Sequence, residues 1–575
     1  MSVITARTAG FCWGVRRAVD LVLAELKKGN GPYAVYGELV HNPQVLEALE
    51  DKGVGICSDP EEMRKGTLFL RTHGITVEEQ KKVSSLPLHL KDLTCPRVSR
   101  ALMIARNKSD EGYDVLILGD PAHQEVISIL SYGGSSARVI SGPLDVENLP
   151  ELSKPFLLSQ TTQNTQTYEE TKKVLLNRFP NLEHAFTICE STSMRQDELR
   201  DLCGEVDCVV VVGGRNSANT ARLAEIAREE GLSSFIVETH EELDAELLAR
   251  YDAILLTAGA STPSWSIRKV RERILEIQGN RLRSGKFREL LQALVFGNFH
   301  ILPITFATGI ASSIILAGIG WLKPVIAASL FLFAVHTVTS VLESGYSHPS
   351  GLRRQVFIRK HRISLTICAL TAFAGSMGIS LFLNPIWPCV LGLMLVAFLF
   401  YSIPLIRKTY PFRGLRAVPG SRDLMFAGAW SFLLALLPGF ISAGSTINPG
   451  SVLWAGTLFF LFLDRCLLAD LVDMQGDALM GLDTIPIHAG KEKSVILFWC
   501  CFVLAAVLPA SGIAIRYLPV HASAFACGLI TLAAGYFYLR RSPFPSEFSK
   551  RIIADGSLFI AGFAPILAYW AGEVL

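Results

Sequence analysis

Nine long apolar runs follow one another near residues 299–320, 324–343, 363–383, 387–404, 424–443, 452–469, 494–514, 521–539 and 556–573. About 20 apolar residues span the roughly 30 Å hydrocarbon core of a bilayer, so most of these runs are long enough to cross it. Nine in succession are too many for the interior of a soluble domain, and the second half of the chain is therefore expected to be an all-α polytopic membrane domain of about nine transmembrane helices. Loop charge sets its orientation. Arg353, Arg354, Arg359, Lys360 and Arg362 follow the second run, and Arg407, Lys408, Arg413, Arg416 and Arg422 the fourth. Lys491 and Lys493 follow the sixth, and Arg540, Arg541, Lys550 and Arg551 the eighth, whereas the alternate loops carry almost no Lys or Arg. The positive-inside rule then places the N-terminus in the cytoplasm and the C-terminus outside.

Residues 1–290 read differently, as an ordinary soluble protein rich in Glu, Lys and Asp. The start, "MSVITARTAG", lacks the apolar stretch of a secretory signal, so this half is expected to remain cytoplasmic. A net charge of +2 over 575 residues argues against a nucleic-acid partner. Twelve cysteines are scattered without the dense spacing of a disulfide framework, which suits a reducing compartment. Short apolar runs at 67–70, 114–118, 155–159, 208–213, 234–238 and 253–258 alternate with helical patterns. That alternation predicts α/β lobes with parallel sheets.

The residues just beyond the strands carry the chemistry. Cys12 in "TAGFCWGVRRAV", Cys95 in "DLTCPRVSR" and Cys189 in "TICESTSMRQ" each lie between a strand and a helix, 83 and 94 residues apart. The spacing reads as one thiolate from each of three similar lobes, delivered beyond the carboxyl ends of the strands, where open α/β sheets bind ligands. His41, His73 and His123 hold comparable places. The turns "SQTTQNT", "GGRNSANT" and "TAGAST" offer the hydroxyls, amides and helix starts that hold a phosphate, though none is a Walker A loop or a dinucleotide fingerprint. A lone cysteine is more often a small core hydrophobe, and Cys57, Cys203 and Cys208 are read that way. For the other three, an iron–sulfur cluster, a Cys/His zinc site and a cysteine nucleophile all stay open.

The motifs "AGFCWGVRRAV", "GELVHNPQV", "RTHGI", "DLTCP", "GDPAHQEV", "SQTTQ", "TICESTSMRQ", "GGRNSANTARLAEIA" and "TAGASTP" occur in that order over about 280 residues. Together they resemble the 4-hydroxy-3-methylbut-2-enyl diphosphate reductases of the non-mevalonate isoprenoid pathway. The resemblance implies a three-lobed α/β fold around a [4Fe–4S] cluster held by Cys12, Cys95 and Cys189, one iron keeping an open position. It implies Glu125 as the proton-relay acid and Thr161 as a hydrogen-bonding partner near the substrate hydroxyl. It also implies His41, His73, His123, Ser217, Asn219 and Ser261 as holders of the diphosphate. The products would be isopentenyl and dimethylallyl diphosphate, and ferredoxin or flavodoxin the electron donor. From the residues alone, Glu125 is a solvated acid at a helix start.

The chain thus divides into a reductase-like domain (1–280), a basic linker (281–298) and a transmembrane domain (299–575). In the last, "LDRCLLADLVDMQGDALMGLDTIPIHAG" (463–490) concentrates acids where membrane helices rarely keep them. Asp470, Asp473 and Asp477 are spaced three and four apart, which sets them on one helix face, a natural place for Mg²⁺ to bridge carboxylates to a diphosphate. D-x-x-D-x-x-G-D followed by G-x-x-T-I-P resembles the second aspartate motif of the UbiA superfamily of intramembrane prenyltransferases, and "YSIPLIRKTYPFRGLRAVPGSRDLMFAGAW" (401–430) resembles another region of that family. The resemblance implies a prenyl diphosphate substrate, a prenyl acceptor and Mg²⁺. One departure stands out: the family's first acidic motif is replaced by "HTVTSVLESGYSHPSGLRRQ", where Glu343 is the only acid and His336 and His348 are the other candidate ligands.

Overall fold

The runs "DVLIL", "PFLLS" and "CVVVV" form strands buried along nearly their whole length, as expected where a parallel sheet is covered on both faces. The computed structural model describes residues 2–281, 286–317, 322–343, 352–383, 385–402, 420–442, 448–480, 484–541, 545 and 547–574. It separates into two compact units, Met1–Leu282 and Arg283–Leu575.

The first unit holds three four-stranded sheets, all parallel. After strand β1 (Ser2–Thr5), the first complete lobe uses β2 (Tyr33–Tyr36), β3 (Val54–Cys57), β4 (Thr67–Leu70) and β5 (His89–Asp92) in the order β3-β2-β4-β5. The second repeats that order with β6 (Asp114–Leu118), β7 (Arg138–Ile140), β8 (Pro155–Ser159) and β9 (Glu183–His184). The third has only three strands of its own: β10 (Cys208–Val212), β11 (Ser233–Val237) and β12 (Ala253–Ala258). Its fourth place is taken by β1, paired Ser2 to Ala253 through Thr5 to Leu256. The chain thus repeats one topology three times, and its first strand completes the last lobe.

The six strands expected from apolar runs are present. The structure adds β2, β3, β5, β7 and β9, which run two to four residues with sequences such as "HLKD" and "EH". All but β2 lie at sheet edges, where half the burial that writes an apolar run is missing.

The second unit is helical around one apolar core that includes Phe331, Trp387, Trp430, Trp454, Phe462 and Phe498. Among the described residues, seven helices are long and apolar enough to cross a membrane, or eight if the bent pair Leu290–Phe296 and Ile301–Leu316 is one span. The expected count of about nine is not confirmed among the described residues. The helix over the first run, Ile301–Ala317, has 17 residues, and so has the helix over the fourth, Ile386–Ser402. The outward faces are apolar: Ile363, Leu393, Ile496 and Ile530 are all well exposed, which suits contact with lipid. Some charges within the spans are paired internally, whereas both carboxyl oxygens of the buried Asp464 have no hydrogen-bond partner among the described residues. Asp555 accepts hydrogen bonds from His300 at 3.0 Å and Arg465 at 2.7 Å, which offsets the cost of an acid at membrane depth.

Candidate active site of the three-lobed unit

Each expected cysteine caps the helix that leaves the fourth strand of its lobe. Cys12 precedes α1 (Trp13–Leu26). After α2 (Pro43–Glu50) and α3 (Val77–Ser84), Cys95 precedes α4 (Pro96–Asp110). After α5 (Gln124–Tyr132) and α6 (Thr165–Arg178), Cys189 precedes α7 (Glu190–Cys203). The same backbone bond fixes all three. The Cys12 amide donates to Ala260 O (3.0 Å), that of Cys95 to Thr72 O (3.0 Å) and that of Cys189 to Thr161 O (2.9 Å). Each acceptor lies just beyond the third strand of the same lobe, so the topology brings the three thiols to one place.

That place is a cavity of about 100 Å³ lined by Cys12, Cys95 and Cys189, by His41, His73 and His123, and by Glu125, Thr161, Ser217, Asn219 and Ser261. All eleven residues expected to form the site in this half therefore meet at one cavity, on loops and helix starts of all three lobes. Cys203 and Cys208 are core residues, as read from sequence; Cys57 is half-buried and donates to Asp59 O.

The donor set fits an iron–sulfur cluster. All three cysteines are free, and Cys95 lies within electrostatic reach of both others. Burial raises the Cys95 thiol, while the Arg97 and Val98 amides pull it back, so a soft metal would displace its proton on binding. Among the described residues, no three His, Cys, Asp or Glu side chains are arranged to hold a single metal ion. A cluster asks less of any sulfur pair, because each thiolate takes its own iron. Gly14 leaves the room: a Cβ there would come 2.7 Å from Cys95 Sγ and 3.8 Å from Cys12 Sγ. It stands in the quoted Cys12 motif, but sequence alone gives no sign of that approach.

The three histidines form one group. The His41 and His73 rings stack with centroids 4.2 Å apart, and His123 stands edge-on at 5.5 and 5.7 Å. Burial, reinforced by the other two imidazoles, holds His73 well below the usual range. Burial first, then His41, pushes His123 down to about 4. The His123 Nδ1 accepts from the Glu125 amide at 3.1 Å, which leaves Nε2–H as its donor. His41 donates Nδ1–H to Glu38 at 2.9 Å. Its Nε2, the Nδ1 of His73 and the Nδ2 of Asn219 are buried without a protein partner. Orphaned polar atoms at one cavity mark a place for a polar ligand. Ser217 opens α8 (Ala218–Glu229) without capping it through its side chain, and Ser261 Oγ donates to His41 O at 3.2 Å.

Glu125 is not the solvated helix-start acid that its position alone suggests, since it is 1% exposed. Its carboxyl accepts from the Thr161 amide at 2.6 Å and from Thr161 Oγ1 at 2.9 Å. Burial pushes it up to about 7 against the pull of those two bonds. A carboxyl that titrates near neutrality beside a polar cavity is suited to proton transfer.

In the second unit the structure locates less. Asp470 is buried and accepts from Arg422 at 2.8 Å, and Arg422 also reaches Asp423 at 3.2 Å. Asp473 and Asp477 lie on the helix Pro449–Met480, and Glu343 ends the helix Leu322–Glu343, but these three side chains, His348 and residues 403–419 lie outside the described residues. The His336 ring is 5.9 Å from that of Phe426.

A family model described as LytB protein matches residues 3–275. The 4-hydroxy-3-methylbut-2-enyl diphosphate reductase of Geobacter sp. is 40% identical over 283 residues, 49% of this chain and 100% of that protein. That of Geobacter sulfurreducens is 38% identical over 281 residues, 49% of this chain and 99% of that protein. Among solved structures, the E-1-hydroxy-2-methyl-but-2-enyl-4-diphosphate reductase of Plasmodium falciparum has 28% identity, covers 47% of this chain and 86% of its own, and superposes with a TM-score of 0.46. A UbiA homolog from Archaeoglobus fulgidus bound to GPP and Mg²⁺ has 15% identity, covers 50% of this chain and 100% of its own, and has a TM-score of 0.35.

Proposed function

The first half of this chain belongs to the LytB family of 4-hydroxy-3-methylbut-2-enyl diphosphate reductases, and from that membership we propose that its eleven cavity residues carry the family's reductive dehydroxylation. The observation that supports this reading is the meeting of three free cysteines, one from each lobe, at a cavity with three histidines and a buried carboxyl. The unit is an oxidoreductase. Cys12, Cys95 and Cys189 would hold the family's [4Fe–4S] cluster. When bound, that cluster supplies electrons and an open iron for the substrate hydroxyl.

The chain's own residues do the rest. The histidines, Ser217, Asn219 and Ser261 hold the diphosphate, the orphaned nitrogens gaining the partner they lack. Glu125, still partly protonated near pH 7, gives its proton at its carboxyl oxygen, and Thr161 Oγ1 holds that carboxyl toward the cavity. In the net reaction the substrate's C–O bond breaks, two electrons and two protons enter, and water leaves with isopentenyl or dimethylallyl diphosphate. Ferredoxin or flavodoxin is the proposed donor. Anaerobic incubation of the full chain with 4-hydroxy-3-methylbut-2-enyl diphosphate and a chemical reductant should yield both five-carbon diphosphates. Substrate returned intact by an iron-loaded chain counts against the reading.

The lowered values of His73 and His123 make binding proton-linked. A diphosphate beside His73 and His123 raises both from their depressed values, so binding should take up protons. Calorimetric titration of inorganic diphosphate at pH 6, in two buffers of unlike ionisation enthalpy, should show net uptake. Equal heats in both buffers contradict it.

For the second half we propose a membrane-embedded prenyl diphosphate site, with Asp470, Asp473 and Asp477 binding Mg²⁺. The support is the UbiA-like motif over 463–490 and the burial of Asp470 at membrane depth. The reductase unit faces the cytoplasm in this reading. One observation favours a second reading, a catalytically idle anchor: Asp470 is held by Arg422. Asp470→Ala should lower the prenylated lipid made in cells by about tenfold or more if it binds Mg²⁺. An unchanged lipid profile selects the anchor.

A further inference from the structure

The strand that leads to Cys12, β1, completes a lobe whose other strands come more than 200 residues later. The loop between that strand and Cys12 is held by the helix that Cys189 caps. From α7, Glu198 accepts hydrogen bonds from the Arg7 amide (2.7 Å), the Thr8 amide (2.9 Å) and Thr8 Oγ1 (2.6 Å). One turn earlier, Arg195 donates to Gly10 O at 2.6 Å. Its other amino group donates to Ser191 O at 2.7 Å and to Ser191 Oγ. Gly10 takes φ 101°, a left-handed conformation that suits glycine, and its carbonyl meets the guanidinium. Arg195 is 4% exposed, and it lies within electrostatic reach of Cys12 and Cys189.

We propose that Arg195 and Glu198 are positioning residues that clasp the Cys12 loop onto the Cys189 helix, which keeps the Arg195 charge near the two sulfurs. Glu198 holds the entry to the loop and Arg195 its last turn before the cysteine. The bonds tie the exit of β1 to the helix that packs beside it on the third lobe, between two of the three cysteines. A buried cation held near the sulfurs that would carry the cluster makes added electrons easier to accept. The proposal rests on the reductase reading for its cluster part, while the clasp itself is a property of the polypeptide.

The test uses the full chain with Arg195→Gln, Arg195→Lys and Glu198→Gln, first iron-free and then loaded anaerobically. In the iron-free chain, charge-assisted bonds of this kind slow amide exchange roughly tenfold or more when made. Arg195→Gln should therefore speed exchange across residues 8–12 by about that factor, leaving α8 unchanged. In the loaded chain it should shift the cluster's reduction potential to more negative values. Arg195→Lys should restore most of the potential but not the exchange protection, since lysine keeps the charge and loses the fork. Wild-type exchange together with a wild-type potential in Arg195→Gln overturns the proposal. Should that variant fail to fold, Glu198→Gln decides: faster exchange at Arg7 and Thr8 supports the clasp, and unchanged exchange overturns it. A wild-type chain that takes up no iron overturns the reductase reading instead, and the iron-free exchange still decides the clasp.

Discussion

Glu125→Gln should lower the rate of substrate reduction by about 10²–10⁴-fold, the range for losing a general acid, while making the three-lobed unit more stable at pH 8. Both effects come from one buried carboxyl. In the folded chain Glu125 keeps its proton up to about pH 7, whereas an unfolded chain releases it near the ordinary value. Between those points the native state binds more protons, so stability falls as pH rises; above pH 7 the full penalty remains. A shift of this size corresponds to about 3 kcal/mol. Glutamine carries no such penalty and can still pair with the Thr161 amide and hydroxyl. Thermal unfolding of the reductase unit should show Glu125→Gln raised by roughly 5–10 °C at pH 8 and nearly unchanged at pH 4, where the glutamate is neutral in both states. A variant as active as wild type removes Glu125 from the chemistry. One destabilised at pH 8 shows that the Thr161 bonds outweigh burial and that the native state does not hold the carboxyl above its ordinary value.

Cys95→Ala should abolish reduction and leave a chain that holds far less iron after anaerobic reconstitution, and Cys12→Ala and Cys189→Ala should behave alike. Three thiolates are the fewest that hold a cluster with one iron open, and removing a ligand leaves two irons without a protein sulfur. Gly14→Ala provides a companion that alters no ligand. Its methyl would meet Cys95 Sγ at 2.7 Å, well inside contact distance, and should reduce iron content with all three cysteines intact. Cys203→Ala is the control, because Cys203 packs in the core of the third lobe, and it should leave iron content alone. Equal loss in all of these variants would mean that general destabilisation, not ligation, sets the iron content.

The site was more legible than the sheets that build it. Cys12, Cys95 and Cys189 recur at similar intervals because each follows the fourth strand of a repeated lobe, and repetition of topology leaves a repeat in spacing. The central strands were visible because burial on both faces forces a continuous apolar run. Edge strands such as β5 and β9 carry no such signature, and the closure of the third lobe by β1 is a pairing between chain positions some 250 residues apart, which no local pattern records. The burial of Glu125 was hidden for a similar reason. A glutamate in a first helical turn is ordinary, and only the placement of Thr161 from the neighbouring strand turns it into a buried acid. In the membrane half, hydropathy located the helices, but it counts apolar residues and does not see a bend such as that between Phe296 and Ile301.

Iron and acid-labile sulfide measured in the anaerobically purified full chain, with its visible absorption, address the central claim most directly. The account predicts about four of each per chain and the brown colour of a cubane cluster, lost together when Cys12, Cys95 or Cys189 is replaced. A colourless chain that contains zinc or no metal, with those three thiols intact, would contradict it.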